Sequence, residues 1–289
     1  MTIRHIRMFV TVADQGGMSA AAKELHVSQP TVSQAIAELE KYYGVKLFER
    51  LSQRLYITKE GELMLSFSRH ILDSFDRMEE AMDLTAEKPV LQLGCSVTVG
   101  TCLIHDILDK VKEKMPNLQV LVTVTNSSDI EQAILTNEVD LGIVEGIIKS
   151  EELLTTPICE DELVLVCGKE HPLAKAGKVT ASMLQGQNYV SRESGSAERN
   201  QMEKKLEEQG IQFVKSFCST NTEAIKNAVI RGRGMAVLSR RMVEKELATG
   251  DIVVLSLDGV RATRNINLVI HKNKYISKGI KLFQEIVWN

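Results

Sequence analysis

The chain has 289 residues, 44% of them hydrophobic and 25% charged, a globular balance with room for two or three domains. A formal net charge of −3 argues against nonspecific coating of nucleic acid. No run approaches the roughly 20 apolar residues that a membrane span needs. The opening Met1–Arg7 lacks the apolar core of a signal peptide, so a cytoplasmic protein with no membrane partner is expected. The five cysteines form no CxxC pair and no zinc spacing with the six histidines. They read as reduced core residues, and neither a metal nor a cofactor is expected.

In chain order, Ile3, Ile6, Phe9, Val10 and Ala13 recur at helical spacing up to about Gln15. Gly16-Gly17 breaks that helix, and Ser19 is the expected cap of a short one through Leu25, whose Ala20-Ala21-Ala22 permits close packing. His26-Val27 makes the turn. Ser28 caps a third helix with Pro30 in its first turn, where a missing N–H costs nothing. Val32, Ile36, Leu39 and Tyr43 form its expected core face, while Gln29, Pro30, Thr31, Ser33 and Gln34 gather at its N-terminal end, largely off that face. Gly44 ends the helix, Leu47-Phe48 re-enters the core, and Arg50–Ile57 reads as two short strands about a turn at Ser52-Gln53. Lys41, Lys46, Arg50, Arg54 and Lys59 make this stretch locally basic, opposed by Glu49.

This is helix-turn-helix chemistry with a basic wing. The N-terminal end of such a third helix enters the major groove, where Gln29, Ser33 and Gln34 can read base edges. Ser28 and Thr31 at the capped terminus suit phosphate, with Pro30 between them, as do Arg50 and Arg54 on the wing. A three-helix domain that binds only protein is the plainer alternative.

From Thr58 to about Glu87 one long helix carries Met64, Phe67, Ile71, Phe75, Met78 and Met82 along a single stripe, and a helix from a second chain is the economical cover for it. Beyond Pro89 the texture alternates. VLQLGCS, LQVLVTVT and DLGIVEG read as parallel strands separated by helices. A second series begins with LVLVCGK and runs through NYVSRE, FVKSFCS and MAVLSR, with helices near Ala197–Gln209 and Asn221–Arg231; INLVIHK and a helix over Lys278–Trp288 close the chain. Two α/β lobes with a ligand cleft between them follow. The residues from Gly94 to Thr101, Asn126-Ser127-Ser128, and Arg192 to Ser196 (with Ser194) lie at strand-to-helix junctions, where hydroxyls and free N–H groups form an uncharged anion cradle. Catalysis is not expected: the histidines are scattered, and there is no GxSxG, P-loop or HExxH.

The first 60 residues resemble the DNA-binding domain of LysR-type transcriptional regulators. The carriers are Phe9, Ala21-Ala22, Leu25, the run Ser28–Ser33, Ile36, Leu39-Glu40, Gly44, Leu47-Phe48, Arg50, Thr58 and Gly61. EVDLGIVEG, DELVLVCGKEHPLA and NTEAIKNAVIRGRGMAVL extend the likeness more loosely, and RESGS with NTEAIKNAV looks most like members tied to sulfur or carbon assimilation. Gly17, Gln34, Leu51 and Ser239 depart from the family pattern, the first three where they bear on operator sequence.

The resemblance implies an α+β multi-domain chain: a winged helix-turn-helix over 1–58, a linker and dimerisation helix over 59–88, and a periplasmic-binding-protein-like effector domain over 89–289. Lobe I then takes about 89–161 and 266–289, and lobe II about 162–265. It implies a dimer or tetramer on a pseudo-palindromic site in double-stranded DNA. Ser96, Thr98, Ser127, Ser128, Ser196 and Thr220 would face the cleft, with Thr101 and Ser194 beside them, around a small-molecule effector, expected to be an anion. A cytoplasmic solute-binding protein or a ligand-converting enzyme on the same two-lobed frame is the alternative.

Overall fold

Thr2 nucleates the first helix. Its side chain accepts from the His5 amide and the His5 ring accepts from the Thr2 amide, a reciprocal capping box that opens α1 (Ile3–Gln15), which Gly16 ends at φ +64°. The computed structural model describes residues 1–51, 54–82, 89–176, 178–193, 196, 206, 208, 210–257 and 262–288. Contacts divide the chain into one unit of Met1–Glu87 with Leu135–Asn137 and Asn273–Tyr275, and a second holding the rest.

In the first unit α2 spans Met18–Glu24, with Gly17 rather than Ser19 at its cap and no side-chain bond there. The extended Gly17 already offers its carbonyl to the Ala21 amide, so Ser19 falls inside the first turn. α3 (Gln29–Tyr43) begins as expected, with the Ser28 hydroxyl accepting from the Thr31 amide at 3.3 Å. Its buried face is Val32, Ala35, Ile36 and Leu39, packed with Phe9, Ala21 and Leu47. Tyr43 does not join it: at 47% exposure it sits on a last turn that outruns the core. β1 (Phe48–Leu51) and β2 (Arg54–Ile57) pair antiparallel in the register Phe48 to Ile57; the turn expected at Ser52-Gln53 lies outside the described residues.

α4 covers Lys59–Met82. It starts against the wing so closely that a Cβ on Gly61 would lie 2.3 Å from the Leu47 carbonyl oxygen. The helix has two apolar lines where one was expected. Met64, Leu65 and Leu72 pack on the helix-turn-helix core, while Leu63, Phe67, Ile71, Met78 and Met82 are exposed. Among the described residues no helix is long and apolar enough to cross a membrane.

The second unit is built on an eight-stranded sheet. β3 (Val90–Ser96) pairs parallel with β4 (Gln119–Thr125) and with β5 (Leu141–Glu145), through the short α5 (Val97–Cys102), α6 (Ile104–Lys114) and α7 (Ser127–Leu135). The parallel reading holds there. It fails for the longest strands: β6 (Leu153–Gly168) and the later β12 (Ala262–His271) run antiparallel to each other along ten paired positions. β6 therefore starts ten residues before the apolar run that signals it, because its first half (LLTTPICEDE) is half-exposed and polar. Past β7 (Lys178–Val179) and α8 (Ala181–Leu184), β8 (Asn188–Arg192) and β9 (Val214–Ser219) form a separate parallel pair. α9 (Thr222–Ile230), β10 (Ala236–Ser239), α10 (Arg240–Thr249) and β11 (Ile252–Leu257) return to β6, and α11 (Lys278–Val287) closes the chain. The helix expected near 197–209 lies mostly outside the described residues.

Separate apolar cores fill this unit. Leu91, Leu93, Ile143, Ile280 and Phe283 belong to one; Leu165, Leu184, Tyr189 and Val237 to another. Outside these cores, residues from β3, β5, β8 and β12 contribute to a polar recess.

Candidate nucleic-acid interface and effector recess

Because Val32, Ala35, Ile36 and Leu39 take the inner face of α3, its outer face is left to short polar groups. Gln29, Pro30, Thr31 and Gln34 are exposed and Ser33 is half-buried. The Ser28 and Thr31 hydroxyls lie 2.7 Å apart at the helix N-terminus, and the exposed Arg50 and Arg54 stand on paired wing strands. Gln34 is tethered: its amide donates to Glu38 at 2.9 Å, and Glu38 also meets the His5 ring at 3.0 Å. Those two bonds, Gln34 first, hold the Glu38 carboxyl below its ordinary range.

In the second unit a recess opens where strands end and helices begin. It is lined by Ser96, Val97, Thr98, Asn126, Ser127, Glu145, Arg192, Ser196 and Arg264, and its volume is about 10 Å³. Four of the eight hydroxyl residues singled out in the sequence thus converge. Ser96 is 2% exposed, and its hydroxyl has no hydrogen-bond partner of good geometry among the described residues. Thr98 accepts from Arg264 Nη2 at 3.2 Å, and Ser127 donates to Glu145 Oε2 at 3.1 Å. Ser196 is buried and also lines the recess.

Three others do not line the recess. Thr101 is exposed and bonds back to the Val97 carbonyl at 2.8 Å, a helix-internal role. Ser128 is half-buried on α7 but absent from the lining, and Thr220 is exposed. Near Thr220 it is Thr222 that turns inward, accepting from Arg192 Nη1 at 3.3 Å. Ser194 lies outside the described residues.

The uncharged cradle expected from the sequence is, in fact, charged. Arg264, 4% exposed, donates to Asp161 Oδ2 at 2.8 Å and to Glu145 Oε1 at 3.4 Å; Asp161 is also held by Ser239 at 2.6 Å. Arg192 grips Glu193 through Nε at 2.9 Å and Nη2 at 3.1 Å. Burial, the largest single influence, opposes the Glu145 charge, but the Arg264 guanidinium together with nearby hydrogen-bond donors outweighs it and holds the carboxyl below its ordinary range. The Ser96 and Thr98 hydroxyls help, Ser96 by proximity rather than through a well-aligned bond. The charged residues were missed because nothing beside them marks a partner, Glu145 and Arg264 being lone charges on their strands and Asp161 one of three acids on β6, and their contacts join positions 103 and 119 residues apart. The one signal was a charge at the end of an otherwise apolar strand, as in LGIVE.

The cysteines divide. Cys95 and Cys167 are buried, and burial pushes their thiols up to about 12 and about 11 respectively, Glu145 adding to the first. Such thiols are poor nucleophiles. Cys102 and Cys159 are half-buried, and Cys218 is exposed on β9, so the core expectation fails for that residue.

Comparison with known proteins meets both sites. Residues 3–62 match the family described as bacterial regulatory helix-turn-helix protein, lysR family, and residues 85–289 match the LysR substrate binding domain. The chain is 30% identical to the uncharacterized HTH-type transcriptional regulator YeiE of Escherichia coli K12, over 98% of this chain and 96% of that one. It is also 30% identical to the RuBisCO operon transcriptional regulator of Allochromatium vinosum, over 99% and 95%. Among solved structures, the Synechocystis PCC6803 CcmR regulatory domain in complex with 2-PG covers 70% of this chain and 96% of its own, at TM-score 0.65 and 25% identity. A polar-tipped third helix with a basic wing, in one chain with a domain that holds a buried polar recess, agrees with both family matches, and the chain belongs to the LysR-type family of DNA-binding transcriptional regulators with an effector-binding domain.

Proposed function

We propose that this regulator works in the cytoplasm, reads a pseudo-palindromic operator with α3, and is switched by a small anion in the recess. Gln29, Ser33 and Gln34 reach base edges. Ser28, Thr31, Arg50 and Arg54 hold phosphates, and Pro30 sets the entry of the helix. The functional division is 1–58 for DNA, 59–88 for pairing and 89–289 for sensing, with lobe I at about 89–161 and 266–289 and lobe II at about 162–265. Ser96, Thr98, Ser127 and Ser196 contact the effector. The carrying observation is the Ser96 hydroxyl, buried and without a well-formed hydrogen bond at a recess where two guanidiniums converge. A buried polar group left in that state costs free energy that a ligand acceptor can recover.

A volume of about 10 Å³ has room for about one water. An effector of several atoms therefore binds a wider state better than this one, and that difference in affinity is what shifts the population and the geometry on DNA. Calorimetric titration of the full chain against sulfate, phosphate, O-acetylserine and common organic acids tests the reading. At least one anion is expected to bind and to alter retention of a specific chromosomal fragment; binding only by neutral or cationic compounds overturns it.

The exposed line on α4 supports pairing with a second copy. Leu63, Phe67 and Ile71 also face a groove of about 400 Å³ shared with Met1, Tyr43 and Val45. Dimers formed there assemble further into tetramers. Burying a large apolar side chain is worth about 1.5–3 kcal/mol, counted twice across a two-fold axis. Ile71→Asp is expected to weaken self-association by about a hundredfold or more. Light scattering checks it: an unchanged mass at low concentration places the interface elsewhere.

A further inference from the structure

We infer that Glu145 selects the effector, admitting anions that carry a hydrogen-bond donor of their own and rejecting anions that do not. The inference rests on the anion reading of the recess and specifies its ligand class.

A recess built only to attract negative charge would leave its cations free, and this one does not. The guanidiniums of Arg264 and Arg192 face the carboxylates of Glu145, Asp161 and Glu193. Even with Arg241 Nε at 3.8 Å from Asp161, the cluster carries no net positive charge. Both guanidiniums are already engaged by carboxylates, so what the recess offers an anion is hydroxyls and shared N–H groups.

Among the described lining residues Glu145 alone is anionic, and it is 3% exposed. Of the four or so acceptor positions on a carboxylate, Ser127 fills one and Arg264, at 3.4 Å, weakly fills another, while the Ser96 and Thr98 hydroxyls lie close enough to help and can turn to a ligand instead. A ligand oxygen without a proton beside this group meets like charge where little water remains to screen it. A ligand O–H or N–H in the same place donates a charge-assisted hydrogen bond instead. The recess thus distinguishes hydrogen phosphate from sulfate, and a hydroxy or amino acid from a plain carboxylic acid. In every case the shared feature is an anionic head with a donor next to it.

Titration of the wild-type full chain at neutral pH with two matched pairs tests this without any variant. Phosphate is expected to bind at least about tenfold more tightly than sulfate, or glycolate than acetate. The pair that discriminates tells whether the donor sits on an inorganic oxyanion or on a carbon skeleton. Glu145→Gln, whose amide can donate, should bring the ratio towards one by admitting sulfate or acetate, with thermal melting as the check on folding. Equal affinities within both wild-type pairs, or preference for the donor-free member, overturn the selection by Glu145 while the anion reading stands. Failure of all four, and of the organic acids named above, to bind either protein overturns both.

Discussion

Replacing Arg264 by Leu is expected to cost about 3–5 kcal/mol of folding stability, the largest effect of any single substitution at the recess. The reason is asymmetry. Arg264, Asp161 and Glu145 are 4%, 1% and 3% exposed. Removing the cation leaves two carboxylates buried together, and neither can regain the water it gave up on folding. Urea unfolding of the full chain measures the loss in the unit that holds the recess. Adding Asp161→Asn and Glu145→Gln to the Arg264→Leu variant should recover much of it, because the uncompensated charges are then gone. A loss below about 1 kcal/mol for Arg264→Leu would mean that water reaches the cluster, and the burial argument would fail.

The same pair fixes a pH dependence. Glu145 has its folded pKa lowered, burial opposing and Arg264 with its hydrogen-bond donors prevailing together. A carboxyl lowered on folding contributes stability that is present above its unfolded value, near 4.3, and is lost as pH falls through the folded value. Without Arg264 the Ser96 and Thr98 hydroxyls are left to oppose burial, the largest influence, and the sign is expected to reverse: the folded carboxyl rises, and stability is lost as pH climbs past the unfolded value. The gap between the wild type and Arg264→Leu should therefore narrow on acidification from pH 7 towards 4, and parallel curves would show that Glu145 is not the group left stranded.

What could be read from the sequence follows how local each interaction is. α1, α3, the wing and the closing helix announce themselves because their core residues repeat within one element, as Ile6, Phe9 and Val10 do, and α3 also because Ser28 caps within three residues; Thr2 and Ser277 cap in the same way, but it is the structure that identifies them. The recess hydroxyls Ser96 and Ser127 were legible for the same reason: each sits at a strand-to-helix junction. Arg264, Asp161 and Glu145 were not, since nothing near any of them in sequence indicates the others; only the antiparallel pairing of β12 with β6 and β5 brings them together. Thr220 failed against Thr222 by the same logic, for two residues decide between an exposed loop and the buried first turn of α9. The stripe on α4 was found but assigned to one surface. Which apolar line faces α1 depends on the axial rotation of a packed helix, and periodicity alone leaves that open.

On DNA, Ser33→Ala and Arg54→Ala should fail in different ways, and the contrast tests the placement of α3 in a groove. Arg54 is exposed on β2, where a guanidinium can meet a phosphate but has no buried role to lose. Its removal should weaken all duplexes alike and reduce the slope of log affinity against log salt by about one, the counterions no longer released. Ser33 is half-buried beside the outer face of α3 and adds no charge. Losing it should leave the salt slope unchanged and cut the preference for operator over bulk competitor, and Gln29→Ala should do so more strongly, since a bidentate pair to adenine is worth about 1–3 kcal/mol. Gln34→Ala should have the smaller effect of the two glutamines, because its amide is already spent on Glu38 and must be freed before it can read a base. Anisotropy titrations over a salt series, on the operator and on scrambled duplex, separate slope from preference. If Ser33→Ala and Gln29→Ala both leave the preference intact while Arg54→Ala removes it, sequence is read by the wing, and the outer face of α3 serves only to hold the backbone.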